Sequence, residues 1–307
     1  MVSKEDLEYL ESEKNPKKYG RERFGAALIT NDQSKECSNY ELNTPYKVLE
    51  IYGGPVVWFD SPEKDRASVG IIYVQTLDGK AAFKAPWEAR GGLTDWYHFR
   101  EILRGGVDAV GAAKNMRRGN NDERPLLLSF YDPDLIEYRL NELGKERHPI
   151  GVIVTGSGQI DGGLDHLVFN NEGKSVIFTS EVGIENLENL AKNNLNVSIE
   201  IIGPSPRELD MKQMLRILKS KYGVERFLAL GGPGFSTDLY NQDCIDNYFI
   251  NIAPTLSSDP NIRSFIYEAK LPDLSDLRLV SLKKKPINSP DEEGKDTIYT
   301  HYIPKRD

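Results

Sequence analysis

Val69-Gly-Ile-Ile-Tyr-Val-Gln-Thr-Leu-Asp-Gly-Lys80 is an apolar run that halts at a polar turn. The run has the length and β-branched content of a strand, and Asp-Gly is a turn dipeptide. Some 150 residues later, Phe227-Leu-Ala-Leu-Gly-Gly-Pro-Gly-Phe235 repeats the same grammar. Each reads as a buried strand that stops at glycine and turns outward. In parallel α/β sheets, ligands bind outside such carboxyl ends of strands.

The pattern continues on either side. Strand-like segments fall at 69–75, 107–112, 126–130, 150–155, 175–179, 197–202, 226–230 and 247–253. Most are short and continuously apolar, as strands covered on both faces should be. Helix patterns lie between them. Thr94 caps a segment with Trp96, Phe99 and Leu103 on one face, and 132–143 opens with Asp-Pro-Asp. The segment 206–222 carries Met211, Met214, Leu215, Leu218 and Tyr222 on one face and stops at Gly223. This alternation predicts an α/β fold with a mainly parallel sheet. After Pro254, two further strand candidates at 277–282 and 297–303 flank a turn-rich link, which predicts an antiparallel hairpin at the sheet edge.

Residues 1–66 have a different texture, rich in Lys, Glu and Asn. A helix start at Ser3 and strand-like stretches at 46–52 and 55–59 are readable, but no chemistry is. The segment reads as an extension that packs on the core or on a partner chain. Residues 67–307 read as the main domain.

Bulk composition narrows the function. The 307 residues suffice for a large core, and 39% apolar with 28% charged residues is ordinary for a soluble globular protein. There is no run long and apolar enough for a transmembrane helix. The N-terminus lacks the basic-then-apolar pattern of a signal peptide, so the cytoplasm is expected. Cys37 and Cys244 are too few for a disulfide framework, and the four histidines are scattered, so no metal site is expected. A net charge of −8 argues against nucleic acid as a partner. A local basic pocket for a phosphorylated small molecule remains compatible with it.

Several motifs carry candidate chemistry. Thr76, Asp78 and Lys80 bring a hydroxyl, a carboxylate and an ammonium to one strand end, unless the turn is merely structural. Gly231-Gly-Pro-Gly234 follows a strand and opens a helix, where close backbone approach and free amides attract phosphate. A plain turn needs only one or two such residues. Gly151-Val-Ile-Val-Thr-Gly-Ser-Gly158 imitates a dinucleotide fingerprint, but Asp161 occupies the third glycine position and no helix pattern follows. Arg104 ends a helix pattern, where it either complements the dipole or grips a phosphate.

From about 69 to 260 the chain resembles the C-terminal reductase domain of bacterial RibD proteins of riboflavin biosynthesis. The residues that carry the likeness are Thr76-Leu-Asp-Gly-Lys80, Leu103-Arg104-Gly-Gly-Val-Asp108-Ala-Val110, Leu230-Gly-Gly-Pro233, Cys244-Ile-Asp246-Asn247 and Ile252-Ala-Pro254, in the family's order and spacing. The resemblance implies a dihydrofolate-reductase-like three-layer fold, with a mainly parallel central sheet and an antiparallel C-terminal edge hairpin. It implies an NADPH-dependent reductase (NADH being the other donor) resembling 5-amino-6-(5-phosphoribosylamino)uracil reductase. The acceptor would be pyrimidine- or pterin-like and phosphorylated, and the chain a homodimer. By motif position, Gly231, Gly232, Pro233, Gly234, Phe235 and Met116 would face the cofactor. Lys80 and Asp78 would stand at the reacting centre, and Thr76 and Arg104 on the substrate side. The chain departs from the family at one residue and two short segments. Leu230 replaces a Glu, Ala113-Lys-Asn-Met116 replaces Gly-Ala-Gly-Thr, and Asn120-Asn-Asp122 replaces Asp-Asn-Pro. They keep open a non-catalytic ligand-binding or scaffold descendant. Residues 1–66 do not resemble the deaminase half of RibD.

Overall fold

The computed structural model describes residues 27–31, 58–81, 104–112, 136–161, 173–187, 196–269, 276–284 and 297–305. The strands read at 46–52 and 126–130, the helix capped by Thr94, the helix start at Ser3, and Met116 lie outside them.

Among the described residues, ten strands form one sheet: β1 (Ala27–Asn31), β2 (Ser68–Thr76), β3 (Ala109–Ala112), β4 (Ile150–Thr155), β5 (Ser175–Thr179), β6 (Val197–Ile201), β7 (Arg226–Ala229), β8 (Asn247–Ala253), β9 (Leu277–Lys284) and β10 (Ile298–Pro304). Their order is β1-β9-β10-β8-β2-β7-β3-β4-β5-β6. From β8 to β6 all pairs are parallel. At the other edge, β10 and β9 form the expected antiparallel pair. The α/β class, the mainly parallel sheet and the antiparallel edge are thus those expected. The edge has one more strand: β1, from the N-terminal segment, pairs antiparallel with β9.

Helices α1 (Arg104–Gly106), α2 (Met211–Tyr222) and α3 (Pro233–Asn241) connect strands. The period-two alternation of each strand sends one set of side chains to each face. Val69 and Ile71 of β2, Phe227 and Ala229 of β7, Ala109 of β3, Val152 of β4 and Val176 and Phe178 of β5 share one face, and all are fully buried. Met211, Met214, Leu215 and Leu218 of α2 close over that face in the same core. The opposite face is buried too: Ile72, Val110, Ile153, Ile177, Leu228 and Phe249. Trp58 covers it at β2, where a Cβ on Gly70 would stand 2.5 Å from the indole ring. Trp58 donates to the Ser68 hydroxyl (2.9 Å), and Asn247 clamps the backbone of Phe59. Residues 58 and 59 therefore belong to the packing of the main sheet.

The helix read at 206–222 begins at Met211, the first residue of its apolar stripe, and not at Pro206. Asp210 caps α2 by accepting from the Gln213 amide at 2.8 Å, and Glu208 folds back onto Ser205 in a turn before it. A side-chain acceptor at Asp210 offers the free amides of the first turn a better start than Pro206 does. In the 132–143 pattern, the described part closes as a π-helical turn, Tyr138–Glu142.

Candidate active site

Strand register sets the shape of the carboxyl edge. Ile71 lies level with Ala229, the last residue of β7, while β2 continues to Thr76. Gly111 also lies level with Ala229, and β3 ends one residue later. On the far side, β4 runs from Val152, level with Gly111, to Thr155. At about 3.3 Å per residue, β2 overhangs β7 by roughly 16 Å and β4 overhangs it by about 10 Å. The two short strands thus form the floor of a notch between two longer ones. Sheets of this class bind ligands in such a crevice.

The floor is the glycine turn. A Cβ on Gly231 would stand 2.4 Å from the Phe235 ring, so only glycine lets that ring fold back beneath the turn. There it meets Phe227 edge-on at 6.2 Å. Gly232 has φ 82°, a left-handed value that favours glycine, and it forms the N-cap of α3 with Pro233 in the first turn. The first helical bond is Ser236 N to Gly232 O, at 3.2 Å. The amides of Gly234 and Phe235 precede it and have no side-chain cap. Glycine at the approach, a left-handed cap and uncapped amides fit a phosphate-bearing cofactor. Phe235 contributes its amide to this cradle, while its ring belongs to the core.

Lys80 stands at the rim, on the β2 overhang. Thr76 is buried and holds the turn from inside. Its hydroxyl donates to Asp78 Oδ1 (2.6 Å) and accepts from the Lys80 amide (3.1 Å), while its own amide donates to the Lys80 carbonyl (3.0 Å). Gly79, at φ 78°, closes the turn by donating to the Thr76 carbonyl. Asp78 also accepts from the Ser257 amide at 3.1 Å. These two bonds, the Thr76 hydroxyl foremost, favour the ionised carboxylate and lower the Asp78 pKa. Among the described residues Lys80 forms no salt bridge. Leu77 (62% exposed) and Leu256 (77% exposed) flank the turn with apolar surface.

The structure therefore brings Thr76, Asp78 and Lys80 together in one turn, and Gly231 to Phe235 together in another, on adjacent strands. It does not bring Arg104 to them. That residue opens α1, and Arg139 ties α1 down by donating to the carbonyls of Gly105 and Val107. Next to it, Asp108 pairs with Lys145 and accepts from the amides of Glu225 and Arg226, at the amino ends of β3 and β7. The Arg104 backbone is thus at the opposite edge of the sheet from Lys80. Leu230 is half-buried beside the notch floor, its amide donating to Gly111 O at 3.3 Å. In the fingerprint-like segment, a Cβ on Gly156 would stand 2.4 Å from Pro206 O and one on Gly158 1.9 Å from Gly183 O, so these two glycines serve loop packing.

Sequence reasoning missed the residues that join the two turns: Tyr73, Ser236, Thr237, Ser257 and Tyr267. Tyr73 bonds Ser236 of α3 through its hydroxyl (2.9 Å), and burial pushes its pKa up. Thr237 accepts from the Tyr267 amide (3.2 Å). The signal for Tyr73 was its place inside an otherwise aliphatic run. The other contacts use backbone amides or small hydroxyls, which leave no pattern.

Among solved structures, the fold is similar to a pyrimidine reductase-like protein from Corynebacterium diphtheriae, with a TM-score of 0.58 and 17% identity over 78% of this chain and 93% of that one. It is also similar to RibD of Acinetobacter baumannii (TM-score 0.52, 17% identity), with 79% of this chain spanning 59% of the RibD chain. At such identities the likeness is one of fold. The sequence itself matches the family described as the RibD C-terminal domain over residues 67–285, more than half of its length, and the chain belongs to that family.

Proposed function

We propose that the chain is an NADPH-dependent reductase that transfers hydride to a pyrimidine- or pterin-like acceptor, a reading supported by its membership of the RibD C-terminal domain family. The observation that carries this reading is the notch, with a glycine turn suited to phosphate at its floor and, at its rim, a lysine that forms no salt bridge among the described residues. When bound, NADPH supplies the hydride. The amides of Gly234 and Phe235 would hold its phosphates. The Lys80 ammonium would stabilise negative charge on the acceptor's departing oxygen and deliver a proton to it. Asp78 holds the turn that aims Lys80. The exposed Leu77 and Leu256 offer apolar surface to a flat heteroaromatic ring.

Leu230, in place of the family's Glu, favours a second reading, a ligand-binding descendant without turnover. One experiment separates the two. NADPH and NADH are titrated with nicotinamide fluorescence as readout, then oxidation is followed with pyrimidine and pterin acceptors. Saturable NADPH binding followed by oxidation is the expected result. Binding without oxidation would favour the descendant. No binding at millimolar cofactor would overturn the reductase reading.

A further inference from the structure

The segment 254–269 leaves β8 at the level of the rim and ends at α3 on the floor. On the way it touches both turns. Thr255 O accepts from the Leu77 amide (2.8 Å), and the Ser257 amide donates to Asp78. After a bend stapled by Asp259, whose carboxylate accepts from the Asn261 amide, Arg263 O accepts from the Ala81 amide at 2.9 Å. The Lys80 turn is thus held from both sides by one piece of chain. Phe265 then stacks on Tyr73 at 5.4 Å, and Tyr73 bonds Ser236 of α3. Finally the Tyr267 amide donates to the Thr237 hydroxyl, which itself donates to Pro233 O at 2.8 Å. The Tyr267 hydroxyl lies 3.7 Å from where a Cβ on Gly234 would be.

We infer that 254–269 is a strap that sets the position of Lys80 over the glycine turn, with Thr237 as the positioning residue where the strap is tied to α3. The inference rests on the proposed reductase reading for its catalytic consequence, though not for the coupling itself. A connection that merely led from β8 to β9 would need contacts at its ends. This one bonds Leu77, Asp78 and Ala81 around the lysine, then the first turns of the helix that opens the cofactor cradle. Thr237 is 7% exposed and makes both bonds through one oxygen. Its removal frees the strap at the floor while leaving the β2 turn's own bonds in place.

The test uses Thr237→Val, which keeps shape and deletes the hydroxyl, Thr237→Ser, which restores it, and Phe265→Leu as a second lesion of the strap. Hydrogen exchange is measured on the 76–81 segment and on α2. In Thr237→Val and Phe265→Leu, exchange at 76–81 should quicken about tenfold with α2 unchanged, and Thr237→Ser should match the parent. Kinetically, Thr237→Val should lower kcat by about tenfold or more, since small misplacements are costly in hydride geometry, with the NADPH Kd within about threefold of the parent. Unchanged exchange at 76–81, or Thr237→Ser behaving like Thr237→Val, would overturn the strap. A Kd that rises as much as kcat falls would overturn its positioning role. If the parent protein turns nothing over, the reductase reading fails, and the exchange arm alone decides the strap.

Discussion

Asp78 shows how one residue's chemistry depends on neighbours that a sequence does not display. Its neighbours in the chain suggest a group free to meet substrate. In the fold its Oδ1 atom accepts from Thr76 and Ser257, and both bonds favour the ionised form. The folded pKa is therefore below the ordinary 3.8. A depressed carboxylate pKa contributes stability above the unfolded value and loses it as pH falls through the folded one. The parent protein should accordingly lose stability on acidification below about pH 4 more steeply than Asp78→Asn. Urea midpoints at pH 5 and pH 3 check this, and parallel acid limbs would contradict it. The two glycine turns were readable because turn chemistry is local: a left-handed φ at Gly79 or Gly232 favours a residue without Cβ. Thr237 and Ser257 were not, because their roles arise from contacts with Tyr267 and Asp78, far away in the chain.

At the scale of elements, α2 is the clearest product of its own sequence. Asp210 supplies the N-cap, four buried apolar residues recur at helical spacing, and Gly223 ends the helix at φ 69°. The Gly223 and Val224 amides fold back onto Lys219 O and Leu218 O, satisfying carbonyls of the last turn. Asp210→Ala should cost about 1 kcal/mol through the lost cap, and Gly223→Ala a similar amount through the left-handed backbone. The two sites lie at opposite ends of the helix, so their effects should add in a double variant, as measured by chemical denaturation. The parallel strands were legible for a related reason, since double-sided burial writes an unbroken apolar run. Their ends moved by a residue or two because the ladder, and not hydropathy, decides where pairing stops. Strand β1 had no such signature. Ala27–Asn31 is short, and the partner that makes it a strand, β9, comes some 250 residues later.

At the scale of the molecule, the sheet divides its labour between its two edges. The carboxyl edge carries amides without a side-chain cap, left-handed glycines and a lysine that forms no salt bridge among the described residues. The amino edge holds the opposite arrangement. Arg66 and Asp246 are both buried and meet in a bidentate pair at 2.9 and 3.0 Å. Asp246 also accepts from the Val69 amide (2.8 Å), and Arg66 donates to the carbonyls of Ala67 and Cys244. Burial opposes the charge on Arg66, but the bonds and attraction of Asp246 outweigh it and hold the guanidinium pKa above its ordinary value. The pair knots the start of β2, whose far end overhangs the notch, to the start of its neighbour β8. Removing Asp246 alone leaves the buried guanidinium with only the half-buried Glu63 carboxylate, 3.2 Å from its Nε, as counter-charge. Asp246→Ala should therefore destabilise the fold by about 3–5 kcal/mol. Arg66→Met combined with Asp246→Leu removes both charges and should cost less than that single change, because no buried guanidinium remains with only half its pairing. Urea denaturation of the three proteins measures the difference. The knot stands at the edge away from the notch, so the NADPH Kd of whatever fraction remains folded should be that of the parent. A double variant less stable than Asp246→Ala would show that the pair contributes net stability beyond avoiding a stranded charge. A shifted Kd would show that strain at the amino edge reaches the site along β2.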